Sequence, residues 1–212
     1  MDLRNAKTIG GIGTILLCLS FIPAIGVLFA IPGVILVLVS LNEIARKLNE
    51  SRIFNNYLIS VILNAISVLV AVTGLVYTAF LFMSSVIKLP FEEFSNVSPE
   101  VLFNRIFSQG ELLSIMESFG KWLWIVLLVL VIIYALMVVS GYFIKESLNE
   151  VGEKLNDSNF KTAGLLIFLG NLLSILFGLG FIIVLVGDIF LAIAFFSIKV
   201  EAAETKFEEG LK

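Results

Sequence analysis

Apolar residues along this 212-residue chain gather into four long blocks, set apart by short polar stretches. Runs of that length and polarity predict membrane-spanning helices. The first block, from Thr8 to about Ile44, is long enough for two helices, and Pro23 and Gly26 supply the break. This predicts TM1 over about 8–23 and TM2 over about 26–46, with Pro32-Gly33 kinking TM2. TM3 is expected over about 57–84 and TM4 over about 121–145, with Trp122 and Trp124 as interfacial anchors. The last block, Thr162 to Ile198, divides at Gly178-Leu179-Gly180 into TM5 and TM6, and a charged tail follows from Lys199. Each half of a broken block has about 16–20 residues, near the lower limit for a span. Full spans are expected on that ground, with re-entrant hairpins as the alternative.

The polar stretches repeat. Ser40-Leu41-Asn42-Glu43-Ile44-Ala45-Arg46-Lys47-Leu48-Asn49-Glu50-Ser51 returns as Ser147-Leu148-Asn149-Glu150-Val151-Gly152-Glu153-Lys154-Leu155-Asn156-Asp157-Ser158. The matching residues are mostly polar, so shared apolar composition does not explain them. The same offset pairs Asn64 with Asn171 and Ser67 with Ser174. A second offset pairs Lys7-Thr8 with Lys161-Thr162, Gly10 with Gly164, Gly26 with Gly180 and Gly33 with Gly187. Together they make Ser20, Ser67 and Ser174 equivalent. The expected fold is an all-α membrane protein of six transmembrane helices in three tandem hairpins, arranged as a pseudo-threefold bundle. The hairpins cover about 6–51, 53–158 and 160–199 of one integral membrane domain, and the middle one carries a helical outer loop at about 85–120. TM2 and TM4 are expected to run on as helices and turn at Asn49 and Asn156. Glu43–Lys47 and Glu150–Lys154 stand as i,i+4 pairs in the favourable order.

Charge sets the orientation. With both termini inside, the inner face holds Arg4, Lys7, Arg46, Lys47, Arg52, Lys145, Lys154, Lys161, Lys199, Lys206 and Lys212. The outer face holds Lys88, Arg105 and Lys121. That asymmetry follows the positive-inside rule and predicts a multi-pass protein of the cell membrane with cytoplasmic termini. Arg4 and Lys7 before an apolar run imitate a signal peptide, but no A-x-A site follows, so the segment is expected to be retained. In the outer loop, Ser98-Pro99-Glu100 reads as a helix start. Asn96-Val97-Ser98 is a candidate glycosylation sequon.

Composition narrows the chemistry. Hydrophobic residues make up 59% of the chain, and the net charge of −3 with no basic arm points away from nucleic acid. There is no histidine, which removes the usual general base and the commonest metal ligand. The single cysteine, Cys18, allows no intrachain disulfide. No cofactor or metal is expected. Partners are expected among membrane lipids, with a second copy or another membrane protein as candidates.

Several strings carry a family likeness: Ala6-Lys7-Thr8-Ile9-Gly10-Gly11-Ile12-Gly13, Phe21-Ile22-Pro23, Ile53-Phe54-Asn55-Asn56, and Ala192-Ile193-Ala194-Phe195-Phe196-Ser197. In these the chain resembles domain-of-unknown-function family 996. The resemblance implies a multi-pass membrane protein, most often archaeal, with no assigned activity and no catalytic residues to carry over.

Asp188 is the one ionisable residue well inside a predicted span. It stands about eight residues past Gly180, or roughly 12 Å deep. An intramembrane acid is a functional candidate by default. Asn171 and Asn64 are expected at similar depth, and with Ser67 and Ser174 they complete a candidate polar layer for a cation or proton. The plainer reading makes Asp188 a protonated partner of Asn171 or of a backbone carbonyl, and the Asn and Ser residues interhelical glue. Gly10-x-x-x-Thr14 and Gly170-x-x-x-Ser174 allow close helix packing. Enzyme chemistry has little support: one membrane carboxylate cannot make an aspartyl pair, and Glu92-Glu93 reads as a solvated turn. The expected protein is a non-catalytic structural or accessory membrane component, and the alternative is a small ion or solute channel or carrier.

Overall fold

The computed structural model describes residues 3–82, 98, 100, 109–175 and 178–198. Every regular element among them is an α-helix. The helices are α1 (Leu3–Leu19), α2 (Gly26–Leu48), α3 (Ser51–Phe82), α4 (Gln109–Leu155), α5 (Ser158–Leu173) and α6 (Leu179–Ser197). Four of them are long and apolar enough to cross a membrane: α2, α3, α4 from Leu123 onward, and α6. Val27, Leu28 and Leu75 are each more than 70% exposed, and many Ile, Val and Leu side chains along α3 and α4 are open as well. Continuous apolar surface of that extent suits lipid, not water. These are the helices of a membrane-embedded protein. α1 and α5 have 17 and 16 residues. At 1.5 Å per residue they reach only about 24–26 Å, against roughly 30 Å of hydrocarbon.

The helix ends follow from local chemistry. α2 closes on Asn49 and α4 on Asn156, both left-handed with φ of 50° and 54°. Asn tolerates that conformation better than other residues with a Cβ. Each turn is sealed the same way. Glu50 N–H donates to Ala45 O at 2.9 Å, and Asp157 N–H donates to Gly152 O at 2.9 Å. Asp157 then caps α5, its Oδ1 accepting from Asn159 N–H at 2.9 Å. The α1–α2 break is a tight turn with Ala24 at φ 71°, and the α5–α6 break puts Gly178 at φ 83°.

Several boundaries differ from the sequence expectation, most of all at α1 and at the start of α4. α1 begins at Leu3 and ends at Leu19, earlier than predicted. α4 begins at Gln109, twelve residues before the predicted start at Lys121. No proline lies between Gln109 and Lys121, while Leu112, Leu113, Met116 and Glu117 are good helix formers. Gly110 and Gly120 cost about 1 kcal/mol each, too little to break the helix. Part of the expected outer loop is therefore the first turns of α4. Asn96 and most of the predicted short helix lie outside the described residues.

The chain separates into two compact units, Met1–Asn64 with Leu136–Lys212, and Ala65–Ala135. In the first unit α1 packs along α2, α5 along α6, and α1 against α6. Its core holds Ala6, Leu41, Ile44, Ile53, Leu148, Val151, Phe160, Ala194 and Phe195, all fully buried. Phe160 meets Phe195 edge-on at 5.3 Å between ring centroids. In the second unit Gly74 of α3 faces Val129 of α4, whose Cγ1 lies 2.7 Å from where a Cβ on Gly74 would stand.

Polar and small residues set the helix contacts in the first unit. Ser40 Oγ of α2 donates to Ala6 O of α1 at 2.7 Å. Ser147 Oγ of α4 donates to Ile53 O of α3 at 2.6 Å. One level further along, Gly33 of α2 lies against Gly13 of α1, with Gly13 O 3.0 Å from where a Cβ on Gly33 would stand. At the corresponding level of α4, Ser140 Oγ donates to Ser60 O at 3.1 Å. In α6, Gly187 lies against Ile167 of α5, whose amide nitrogen would be 3.0 Å from an added Cβ. The charged pairs differ from those predicted. Glu150 pairs with Arg52 at 3.8 Å and Lys154 with Glu50 at 3.3 Å. Each side chain thus reaches across to the Glu50–Arg52 turn, where a partner of opposite charge stands. Lys7 Nζ donates to Ile198 O at 3.0 Å, tying α1 to the carbonyl end of α6.

Candidate functional site

Asp188 is the midpoint of α6, about 14 Å from either end at 1.5 Å per residue. Its neighbours along the helix explain its burial. Gly187 packs on Ile167, and Leu191 and Ala194 face the core on the same side. Asp188 is consequently 94% buried, with 6% of its surface exposed. Among the described residues its carboxyl makes no hydrogen bond. A buried carboxyl without a partner is costly, and native structures keep few of them.

Two further polar groups stand on other helices of the same unit. The Tyr57 hydroxyl of α3 and the Cys18 thiol of α1 both lie within electrostatic reach of the carboxyl. Tyr57 is 5% exposed, and its hydroxyl also makes no hydrogen bond among the described residues. Cys18 stands at an apolar groove of about 560 Å³ between α1 and α6, walled by Ile15, Leu19, Ile189, Ile193 and Phe196. No cluster of three or more His, Cys, Asp or Glu residues occurs among the described residues.

Within the first unit, neither Asn64 nor Asn171 makes a hydrogen bond to Asp188. Asn171 is half-buried and rests on Gly141 of α4, its Nδ2 2.6 Å from where a Cβ on Gly141 would stand. It makes no hydrogen bond to Asp188. Asn171 is turned toward α4, so equal depth on neighbouring helices does not make it a partner. Asn64 lies on the exposed surface of α3. Ser174 ends α5, its Oγ donating to Asn171 O at 2.8 Å. Ser67 is buried and belongs to the second unit. The buried polar residue that sequence reasoning did not single out is Tyr57. A signal for it exists: Ile53, Tyr57, Ser60 and Ser67 form the buried stripe of α3. Helical spacing brings these four to one face, and three of them carry hydroxyls in an otherwise apolar helix.

Known proteins supply kinship and no activity. A family model described as a protein of unknown function (DUF996) matches residues 29–189. An uncharacterized protein of Methanocaldococcus jannaschii, MJ1644, is 32% identical over 200 residues, covering 93% of this chain and 94% of the relative. No solved structure matches. The match to the family model over most of the chain, with a relative alike from end to end, makes this protein a member of the DUF996 family.

Proposed function

We propose that the protein is a non-catalytic multi-pass component of the cell membrane. In this reading six helices cross the bilayer as three tandem hairpins, α1–α2, α3–α4 and α5–α6, with both termini cytoplasmic. The observation that carries the reading is the recurrence of contacts at matched positions. The two repeat offsets taken together align Ser40–Ala6 with Ser147–Ile53, and Gly13–Gly33 with Ser60–Ser140 and Ile167–Gly187. Shared composition would not reproduce the same close approach between the same helix levels. α1 and α5 are short for spans, but a helix somewhat short of the bilayer is accommodated by local thinning or by its neighbours. The role that fits is structural or accessory, with lipids and a second copy or another membrane protein as partners. Native mass spectrometry of the protein released gently from its own membranes tests this. A stoichiometric assembly supports the accessory role, and a lone chain that carries solute flux overturns it.

A second reading has its own support. Asp188 is an unpartnered acid at the centre of an apolar helix, the position expected of an ion or solute pathway. If the protein is a channel or carrier, Asp188→Asn abolishes flux in reconstituted vesicles while the helix content stays intact. In the accessory role the same change alters little beyond stability.

A further inference from the structure

The apolar groove between α1 and α6 has a definite length and a charged end. Lys7 of α1 reaches the Ile198 carbonyl at 3.0 Å, and Gly10 lies against the Phe195 ring. Further along, Ile15 and Cys18 share the groove with Ile189, so the two helices run antiparallel. The Phe196 ring rests on Gly11, where any Cβ would collide with it. On α6 the wall runs from Ser197 to Ile189, eight residues or about 12 Å. One leaflet of a bilayer holds about 15 Å of hydrocarbon, so the groove matches the depth of a single leaflet. Its Ser197 end is the polar rim, beside the charged turn that opens α5. On α1, helical spacing sets Arg4, Thr8, Gly11 and Ile15 on one stripe, so the groove face carries an exposed cation one turn beyond Lys7. Among the described residues neither Arg4 nor Lys7 has a carboxylate partner. Asp157, the acid bonded to Ser197, is already engaged: Oδ1 accepts from Asn159 N–H and Oδ2 from the Ser197 hydroxyl.

We propose that this groove seats one hydrocarbon chain of an anionic phospholipid of the cytoplasmic leaflet, with the phosphate at Arg4 and Lys7. The leaflet rests on the orientation proposed above, whereas the lipid class rests on the groove and its rim. Length favours a lipid chain over a second copy of the protein. A partner helix packs along a whole span, but this groove ends at Ile189, halfway along α6. Charge selects the headgroup. Two cations without carboxylate partners attract a net negative lipid, and a zwitterionic one gains little from them. A basic residue at an anionic lipid surface is worth roughly fivefold in binding, so the pair is worth about 25-fold.

Native mass spectrometry of the whole protein in detergent tests this, with phosphatidylglycerol and phosphatidylcholine of the same chains titrated separately. The expected result is one tightly held phosphatidylglycerol per chain, bound about 25-fold better than phosphatidylcholine. Arg4→Gln should lower that preference about fivefold and leave phosphatidylcholine binding unchanged. Ala192→Phe fills the groove from its half-buried wall and should abolish the tightly held lipid. Equal retention of the two lipids, or a phosphatidylglycerol that survives Ala192→Phe, overturns the site. A dimer that Ala192→Phe dissolves gives the groove to a second copy and overturns it too. If Ala192→Phe fails to fold, Arg4→Gln, a change on the exposed surface, still decides through the headgroup preference. Binding in detergent is indifferent to which side the termini occupy. A reversed orientation would therefore overturn the leaflet and leave the lipid site standing.

Discussion

A methyl group added at Gly13 should loosen the α1–α2 contact. A Cβ there would stand 2.8 Å from Leu36 Cβ, 2.9 Å from Val37 N and 3.0 Å from Gly33 O. Two of those atoms are backbone, so no side-chain rotation relieves the clash. Ordinary contact begins at 3.4 Å, and the helices must part by about half an ångström. A gap of that order forfeits roughly a quarter of each dispersion contact along the seam. Overpacking of this kind costs about 1–3 kcal/mol, offset by up to about 1 kcal/mol from the better helix propensity of alanine. The net loss expected for Gly13→Ala is about 1–2 kcal/mol, a fall in Tm of roughly 2–8 °C for a chain of this size. Thermal unfolding in detergent, followed by circular dichroism, reads it. Gly141→Ala is the internal control. Its nearest obstacle is Asn171 Nδ2 at 2.6 Å, the far end of a side chain that can swing away. A Gly13→Ala protein no less stable than Gly141→Ala would refute the close-approach argument.

Other changes test other contacts. Ser40→Ala and Ser147→Ala each remove a buried hydroxyl that donates to a neighbouring backbone, and each should cost about 0.6 kcal/mol in the same unfolding assay. The two losses should be alike, because the bonds are. Asn156→Gly should be tolerated, whereas Asn156→Val should destabilise by about 1–2 kcal/mol, since a β-branched residue resists φ of 54°. Asp157→Ala removes the α5 cap and the acceptor for Ser197 Oγ, and should cost about 1 kcal/mol, seen as faster amide exchange at the start of α5.

Much of the architecture was legible from local chemistry. Long apolar runs, Asn at the two linker turns and glycine near both breaks mark elements that depend on nearby residues alone. The start of α4 was misplaced because hydropathy falls before helix propensity does. Which helix faces which was harder to read. Spacing along a helix shows that Asp188 and Asn171 share a depth, but not that Asn171 turns to Gly141. The salt bridges Arg52–Glu150 and Lys154–Glu50 were missed for the same reason. An i,i+4 pair within one helix competes with partners on a neighbouring turn, and the three-dimensional arrangement decides.

Sidedness of the turns tests the six-span account most directly. Single cysteines at Ala24, Ser51, Ser158 and Ile175, in a Cys18→Ser background, would be exposed in sealed vesicles to a membrane-impermeant maleimide. All four positions lie on the surface. The account predicts that positions 24 and 175 react from the outside, that 51 and 158 react from the inside, and that tags on both termini are found inside. Position 175 reacting from the inside, or a terminal tag found outside, would show that α5 or α1 does not cross, and would contradict the account.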